Sequence, residues 1–508
     1  MIRRRSLLAT LLASVGSAAS WSVRKPALAS HPGRPSTTPG PNPDALWKTE
    51  YARTRVWGYV DKHSIQPGES FNLMLSTGPA LDRIKGKVRI SKVGYTPSGL
   101  WDVVWESEEL TIEFADQIQV TSAIVGAAWG SNYEVDETED WRSGYYTIDF
   151  VDSVEVRPDP NIASIIVTDP DRHGDVLIWL GTNTYQAYNG WGGSSLYECA
   201  LTGEQAQMVS FDRPTPATFF AVDTYLVHWI EKLAAERGFK VSYASNFDMH
   251  RDAAFAENYR LLISSSHNEY WSKEEFDTVH RRIFELGKNT IFLGANAAYW
   301  QARYTDVSST PGDSNRGRQL VCYKGDDDPI ADRVSESEAL EVITMQFRDH
   351  ARRPETMLMG SAYQSYFDDD DPKNRFPYKV ARTDLPFFEG TGYTVGQSIG
   401  DVVGYEWDNR DPVGDGRRLW DAEKSRIPAI DADSIKLLFT GSPVDVDGKP
   451  GTAEAVYFVS KAGAQVFNAG SIRWCWGLGL EGFESESFRR FNENLVLAFL
   501  ADPKPEKP

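Results

Sequence analysis

One stretch constrains this chain more than any other: Leu261-Leu262-Ile263-Ser264-Ser265-Ser266-His267-Asn268-Glu269-Tyr270-Trp271-Ser272. It opens as an apolar run and ends in polar, ligand-type side chains. Ser272 precedes Lys273-Glu274-Glu275, the signature of a helix N-cap. The reading is strand, loop, helix, with His267 and Glu269 on the loop at the strand's carboxyl end. In an open α/β sheet, ligands collect at that edge. Two residues apart in extended backbone, the two side chains point to the same side. Such a pair suits a single ligand or metal. An ordinary helix cap, with a buried histidine and a surface glutamate, explains the spacing equally well.

The flanking sequence repeats this alternation. Asp175 to Leu180 reads as a buried strand, Asp223 to Gly238 as an amphipathic helix closed by glycine, and Lys240 to Ala244 as the next strand. Lys273 to Leu286 reads as a helix, Thr290 to Leu293 as a strand, and Phe488 to Leu500 as a closing helix. Repeated βα units imply a mostly parallel sheet between helices. Residues 47–158 differ, with short alternating strands such as Val56 to Val60 and Tyr145 to Phe150, separated by turns such as Gln66-Pro67-Gly68-Glu69. That spacing predicts an immunoglobulin-like β-sandwich. The expected organisation is therefore α+β and multidomain: a sandwich over 47–158, then an α/β layered catalytic domain over 159–503. An irregular insertion is expected over about 302–428, with a solvated acidic run at Asp368 to Asp371, and residues 504–508 form a tail.

The amino terminus reads as a targeting segment over 1–29. Arg3-Arg4-Arg5 precede a short apolar region, and Ala27-Leu28-Ala29 is a cleavage pattern. Paired arginines fit a twin-arginine export signal, and the apolar core is too short for a membrane span. Residues 30–46 read as a Pro/Gly/Ser-rich linker. The expectation is an exported bacterial protein without a membrane span. A net charge of −19 excludes a phosphate-backbone-binding role, which needs basic patches. The three cysteines, Cys199, Cys322 and Cys475, match no zinc spacing, and their pairing cannot be read from sequence.

Other strand ends carry polar and aromatic groups together. Gly181 to Gly193 includes Tyr185 and Tyr188, Gly294 to Trp300 includes Asn296, and the helix from Asp223 includes Tyr225. A further cluster is Val403-Gly404-Tyr405-Glu406-Trp407-Asp408. Singly, each has a structural explanation: tyrosines as amphipathic packing, Asn296 as a turn residue. In a doubly wound fold they can converge on one cleft.

The segments Asn183 to Tyr197, Ser266 to Ser272, Gly294 to Trp300, Gly404 to Asp408 and Gly470 to Leu478 resemble the large (β) subunit of N,N-dimethylformamidase, over most of the chain from about residue 55. The resemblance implies a glutamine-amidotransferase-like layered fold. It also implies a mononuclear Fe(III) held by two tyrosines and one glutamate, and hydrolysis of a small formamide to formate and an amine. Carried over by motif, Glu269 is the carboxylate ligand and Tyr225 one phenolate ligand. The other phenolate is Tyr188, with Tyr185 as its rival. His267, Asn296 and Glu406 surround the metal, Glu406 as general base. The family enzyme pairs with a separately encoded small subunit, so a small subunit or a homo-oligomer is an expected partner beside the amide substrate. Two other classes compete. Tryptophan and tyrosine richness behind a sandwich fits a secreted carbohydrate- or small-ligand-binding protein. Glu269 and Glu406 as paired carboxylates fit a glycoside hydrolase.

Overall fold

The computed structural model describes residues 55–501 apart from short internal stretches, the longest of them 412–429. The targeting segment, the linker, most of the acidic run and the tail lie outside the described residues.

Two sheets open the described chain. Val56–Val60, Phe71–Thr77 and Tyr133–Val135 form one. Arg83–Thr96, Gly99–Glu106, Leu110–Glu113, Gly144–Asp152 and Pro158–Val167, with the short Ser64–Ile65, form the other. Strand alternation explains how they pack. Tyr146, Ile148 and Phe150 join Val88, Ile90, Phe71, Leu73 and Leu75 in the core between the sheets. Tyr145, on the opposite face, joins Val93 and Ile166 against Leu226, Val227 and Ile230 of helix Ala221–Arg237. The sandwich therefore shares a core with the α/β part. Strand Pro158–Val167 pairs with Gly144–Asp152, so the sandwich runs past the expected boundary at 158.

The α/β part is built on nine strands in the order Val241–Ala244, Gly174–Trp179, Tyr259–Ser264, Asn289–Phe292, Gln465–Asn468, Ala453–Val459, Lys436–Gly441, Phe376–Val380, Ser398–Val403. The first five are parallel. The last four are joined antiparallel. The expectation of a mostly parallel sheet thus holds for one half only. The expected irregular insertion also changes character, because Phe376–Val380 and Ser398–Val403 extend the central sheet. They bury Tyr378, Val380, Ile399, Val402 and Val403 in the main core, and antiparallel pairing needs no crossover helix. Strand order establishes a mixed, sheet-rich α/β architecture and no finer fold label.

The parallel half reverses its winding between Gly174–Trp179 and Tyr259–Ser264. Ligand sites form at the carboxyl ends of strands beside such a reversal. Helix Thr182–Tyr188 leaves one of these two strands, and the His267 loop leaves the other.

Candidate active site

Two glycines make room for the loop from Ser265 to Glu269. A Cβ on Gly181 would lie 2.4 Å from the carbonyl oxygen of His267, and one on Gly294 would lie 1.7 Å from that of Ser266. The loop is then pinned by side chains. Asp223 accepts from the backbone N–H of Ser266 at 3.0 Å and from its hydroxyl at 2.6 Å. Thr184 Oγ1 accepts from the Glu269 N–H at 2.9 Å. Ser272 caps helix Lys273–Phe284 in a reciprocal capping box with Glu275. Glu275 also accepts from Asn246, whose amide reaches Asn268 at 3.1 Å. This buried network ties the loop to two helices.

His267 and Glu269 lean together across the loop, with Nε2 to Oε2 at 3.4 Å. Glu406 Oε2 approaches the same nitrogen at 3.3 Å from the start of strand Glu406–Asn409. Asn296, on the turn after strand Asn289–Phe292, donates to Glu406 Oε2 at 2.9 Å. Its backbone is left-handed (φ 54°), a conformation asparagine tolerates, and its N–H is held by Asp408 at 2.8 Å. His267, Glu269, Asn296 and Glu406 are all buried. Burial pulls the His267 imidazole toward neutrality, but the Glu406 and Glu269 carboxylates outweigh it and raise its pKa to about 10.

The phenols present a difference from expectation. Tyr188 reaches the site: its ring lies 5.4 Å from the imidazole and 4.2 Å from the ring of Tyr197. Tyr197, not Tyr225, meets the carboxylate, with its hydroxyl 2.7 Å from each oxygen of Glu269. Burial first, then the Glu269 charge, hold both phenols protonated far above the ordinary tyrosine range. Tyr225 stands apart with its ring beside Gly479, and burial alone raises its pKa. Helical geometry explains this. Asp223 points at the loop, and a residue two positions later lies about 200° around the helix. Tyr185, the rival to Tyr188, gives its hydroxyl to Asp223.

Lys324 lies under Tyr197. Its ammonium is 3.7 Å from the ring centroid and donates to the Leu196 carbonyl at 2.8 Å. Burial lowers its pKa to about 8. No motif singles out Lys324 or Tyr197. Tyr197 lies within the segment that carries the resemblance but follows a glycine-rich turn that hides its direction. Cys322 and Cys475 are buried thiols outside any disulfide.

Among the described residues no group of three His, Cys, Asp or Glu side chains is placed to hold a metal ion. A metal here would depend on phenol oxygens, and Tyr188 and Tyr197 supply them beside Glu269. The same set can perform proton transfer between carboxylates and an imidazole shielded from water.

A buried carboxylate–imidazole–phenol cluster thus sits at the winding reversal of the sheet, where ligand sites form. The chain belongs to the family described as N,N-dimethylformamidase beta subunit-like, C-terminal, whose profile matches residues 87–487. The description of that family points, at family level, to amide hydrolysis. No curated protein matches. Among solved structures, a family 123 glycoside hydrolase from Clostridium perfringens aligns at 12% identity and a TM-score of 0.12, over 54% of this chain and 53% of that one. This chain thus spans about half of that structure, and a likeness so slight carries no argument. No helix among the described residues is long and apolar enough to cross a membrane.

Proposed function

We propose that this protein is an iron(III)-dependent hydrolase of small, formamide-like amides, with Tyr188, Tyr197 and Glu269 holding the metal and Glu406 as general base. One observation carries the reading: the Tyr197 hydroxyl sits 2.7 Å from both Glu269 oxygens with Tyr188 packed against it, so three oxygen donors meet beside His267. Two phenolates and a carboxylate are hard, anionic donors that favour a hard trivalent cation. When bound, that ion would polarise the amide carbonyl and acidify a water molecule.

The chain's own residues do the rest. Glu406 takes the proton from the attacking water and passes it to the departing amine nitrogen. His267 donates from Nε2 toward the oxygen that gains negative charge. Asn296 orients the Glu406 carboxylate through its 2.9 Å hydrogen bond. Its own Oδ1 is buried without a hydrogen-bond partner among the described residues, which leaves an acceptor for water or a substrate N–H.

Metal analysis with a visible absorption spectrum tests the reading. Near-stoichiometric iron with a tyrosinate charge-transfer band is expected in the wild type, together with turnover of small formamides. Tyr197→Phe loses iron and band together, whereas Tyr225→Phe keeps both. Colourless protein that takes up no iron on reconstitution removes the metal from the proposal. Loss of iron in Tyr225→Phe alone restores the ligand set expected from sequence.

A further inference from the structure

Both nitrogens of the His267 imidazole are met by one dipeptide. The Tyr405 hydroxyl lies 3.2 Å from Nδ1, and the next residue, Glu406, reaches Nε2 at 3.3 Å. The backbone presenting this pair is held from several directions. Gly404 donates its N–H to Ser471 Oγ at 2.9 Å, and its carbonyl accepts from the Arg473 N–H at 2.6 Å. The Tyr405 carbonyl accepts from the Phe367 N–H at 2.9 Å. Gly404 has φ +119°, and a Cβ there would fall 2.0 Å from the Phe367 ring, so only glycine permits the approach.

We propose that Tyr405 is a positioning residue for the reaction, its hydroxyl fixing the rotation of the His267 ring so that Nε2–H faces Glu406 and the reacting carbonyl. The inference rests on the amide-hydrolase reading above. An imidazole turned by half a revolution about Cβ–Cγ fills nearly the same volume, but it presents Cδ2 to Tyr405 and Cε1 to Glu406. Shape alone separates the two orientations poorly. A hydrogen bond at Nδ1 separates them, because the turned ring would leave the Tyr405 hydroxyl facing carbon. The Tyr405 ring meets the imidazole edge-on at 6.0 Å, a contact that survives loss of the hydroxyl.

Tyr405→Phe tests this by removing one oxygen and keeping the ring. The expected result is a kcat about 10–100-fold lower, the scale on which residues behind a ligand shell act. KM, iron content and the visible band stay unchanged. A second readout needs neither iron nor substrate. In metal-free protein labelled with 15N-histidine, the wild type should show an Nδ1 resonance displaced by the Tyr405 hydroxyl, whether Nδ1 donates or accepts, assigned to His267 by its absence in His267→Gln. That resonance should move in Tyr405→Phe. An unmoved Nδ1 resonance in Tyr405→Phe overturns the proposed hydrogen bond, and an unchanged kcat overturns the positioning role. A wild type inert toward amides would instead remove the amide-hydrolase reading, with the Nδ1 resonance still deciding the contact.

Discussion

Tyr197 shows how much a single side chain decides here. Its hydroxyl bridges the two oxygens of Glu269 while Lys324 supports its ring from behind, so the carboxylate, the phenol and the ammonium form one buried stack. Glu275 plays a different part at the same scale. It caps helix Lys273–Phe284 and holds Asn246, yet burial raises its pKa to about 8, against 4.5 ordinarily. The folded state therefore holds the proton more tightly than the unfolded chain. The stability this contributes is complete below the unfolded pKa and is lost as pH rises toward the folded value. Urea midpoints should fall between about pH 5 and about pH 8 in the wild type, and Glu275→Gln should flatten that slope. Equal slopes in the two proteins would show that Glu275 titrates normally.

At the level of elements, the site is a meeting of strand ends, and glycine sets their separation. Gly294→Ala places a methyl group 1.7 Å from a backbone oxygen of the His267 loop, where no flexible side chain can yield. The expected cost is about 1–3 kcal/mol in the unfolding midpoint. Displacing the loop by about 1 Å should lower kcat/KM by roughly 100-fold. Wild-type activity in a stable Gly294→Ala would mean that the two strand ends can part without harm. Ser272→Ala removes a cap instead, and should cost about 0.5–2 kcal/mol. Because Ser272 Oγ also meets His250 at 2.9 Å rather than any group at the site, kcat should change little. These elements were legible beforehand because their signals are local. The cap after Trp271, the glycine closing the helix from Asp223 and the apolar runs each depend on a few adjacent residues.

Across the whole molecule, the sandwich helps to build the site. Trp191, three residues beyond Tyr188, is fully buried between Trp57 and Trp129 of the amino-terminal part, at ring distances of 6.1 and 5.7 Å. Arg213 draws in the Trp191 and Ser194 carbonyls at 2.7 and 2.8 Å, so the segment from Tyr188 to Tyr197 is clamped on both sides. Trp57→Ala should cost about 3–5 kcal/mol. It should also weaken retention of the proposed iron, although Trp57 is not among the residues proposed to hold the metal or to catalyse. The described residues, which begin at 55 and end at 501, fall in one compact unit, so calorimetry should show a single transition carrying sandwich and α/β part together. Two separated transitions would remove the clamp.

Residue order alone was sufficient to place His267, Glu269 and Asn296 at strand ends and to give His267 and Glu269 a common side, since backbone geometry over two or three residues dictates both. It also carried the family resemblance that brought Glu406 into the set. Tertiary structure decided which phenol joins them. Tyr197 and Glu269 are 72 residues apart, and neither a turn's exit direction nor a helix's rotation about its axis is encoded locally. Packing chose Asp223 rather than Tyr225 to face the loop, because only one face of a helix can meet the sheet it covers. Packing likewise gave the sheet its antiparallel half, where Phe376–Val380 and Ser398–Val403, short strands within a turn-rich segment, found partners that no short-range pattern could specify.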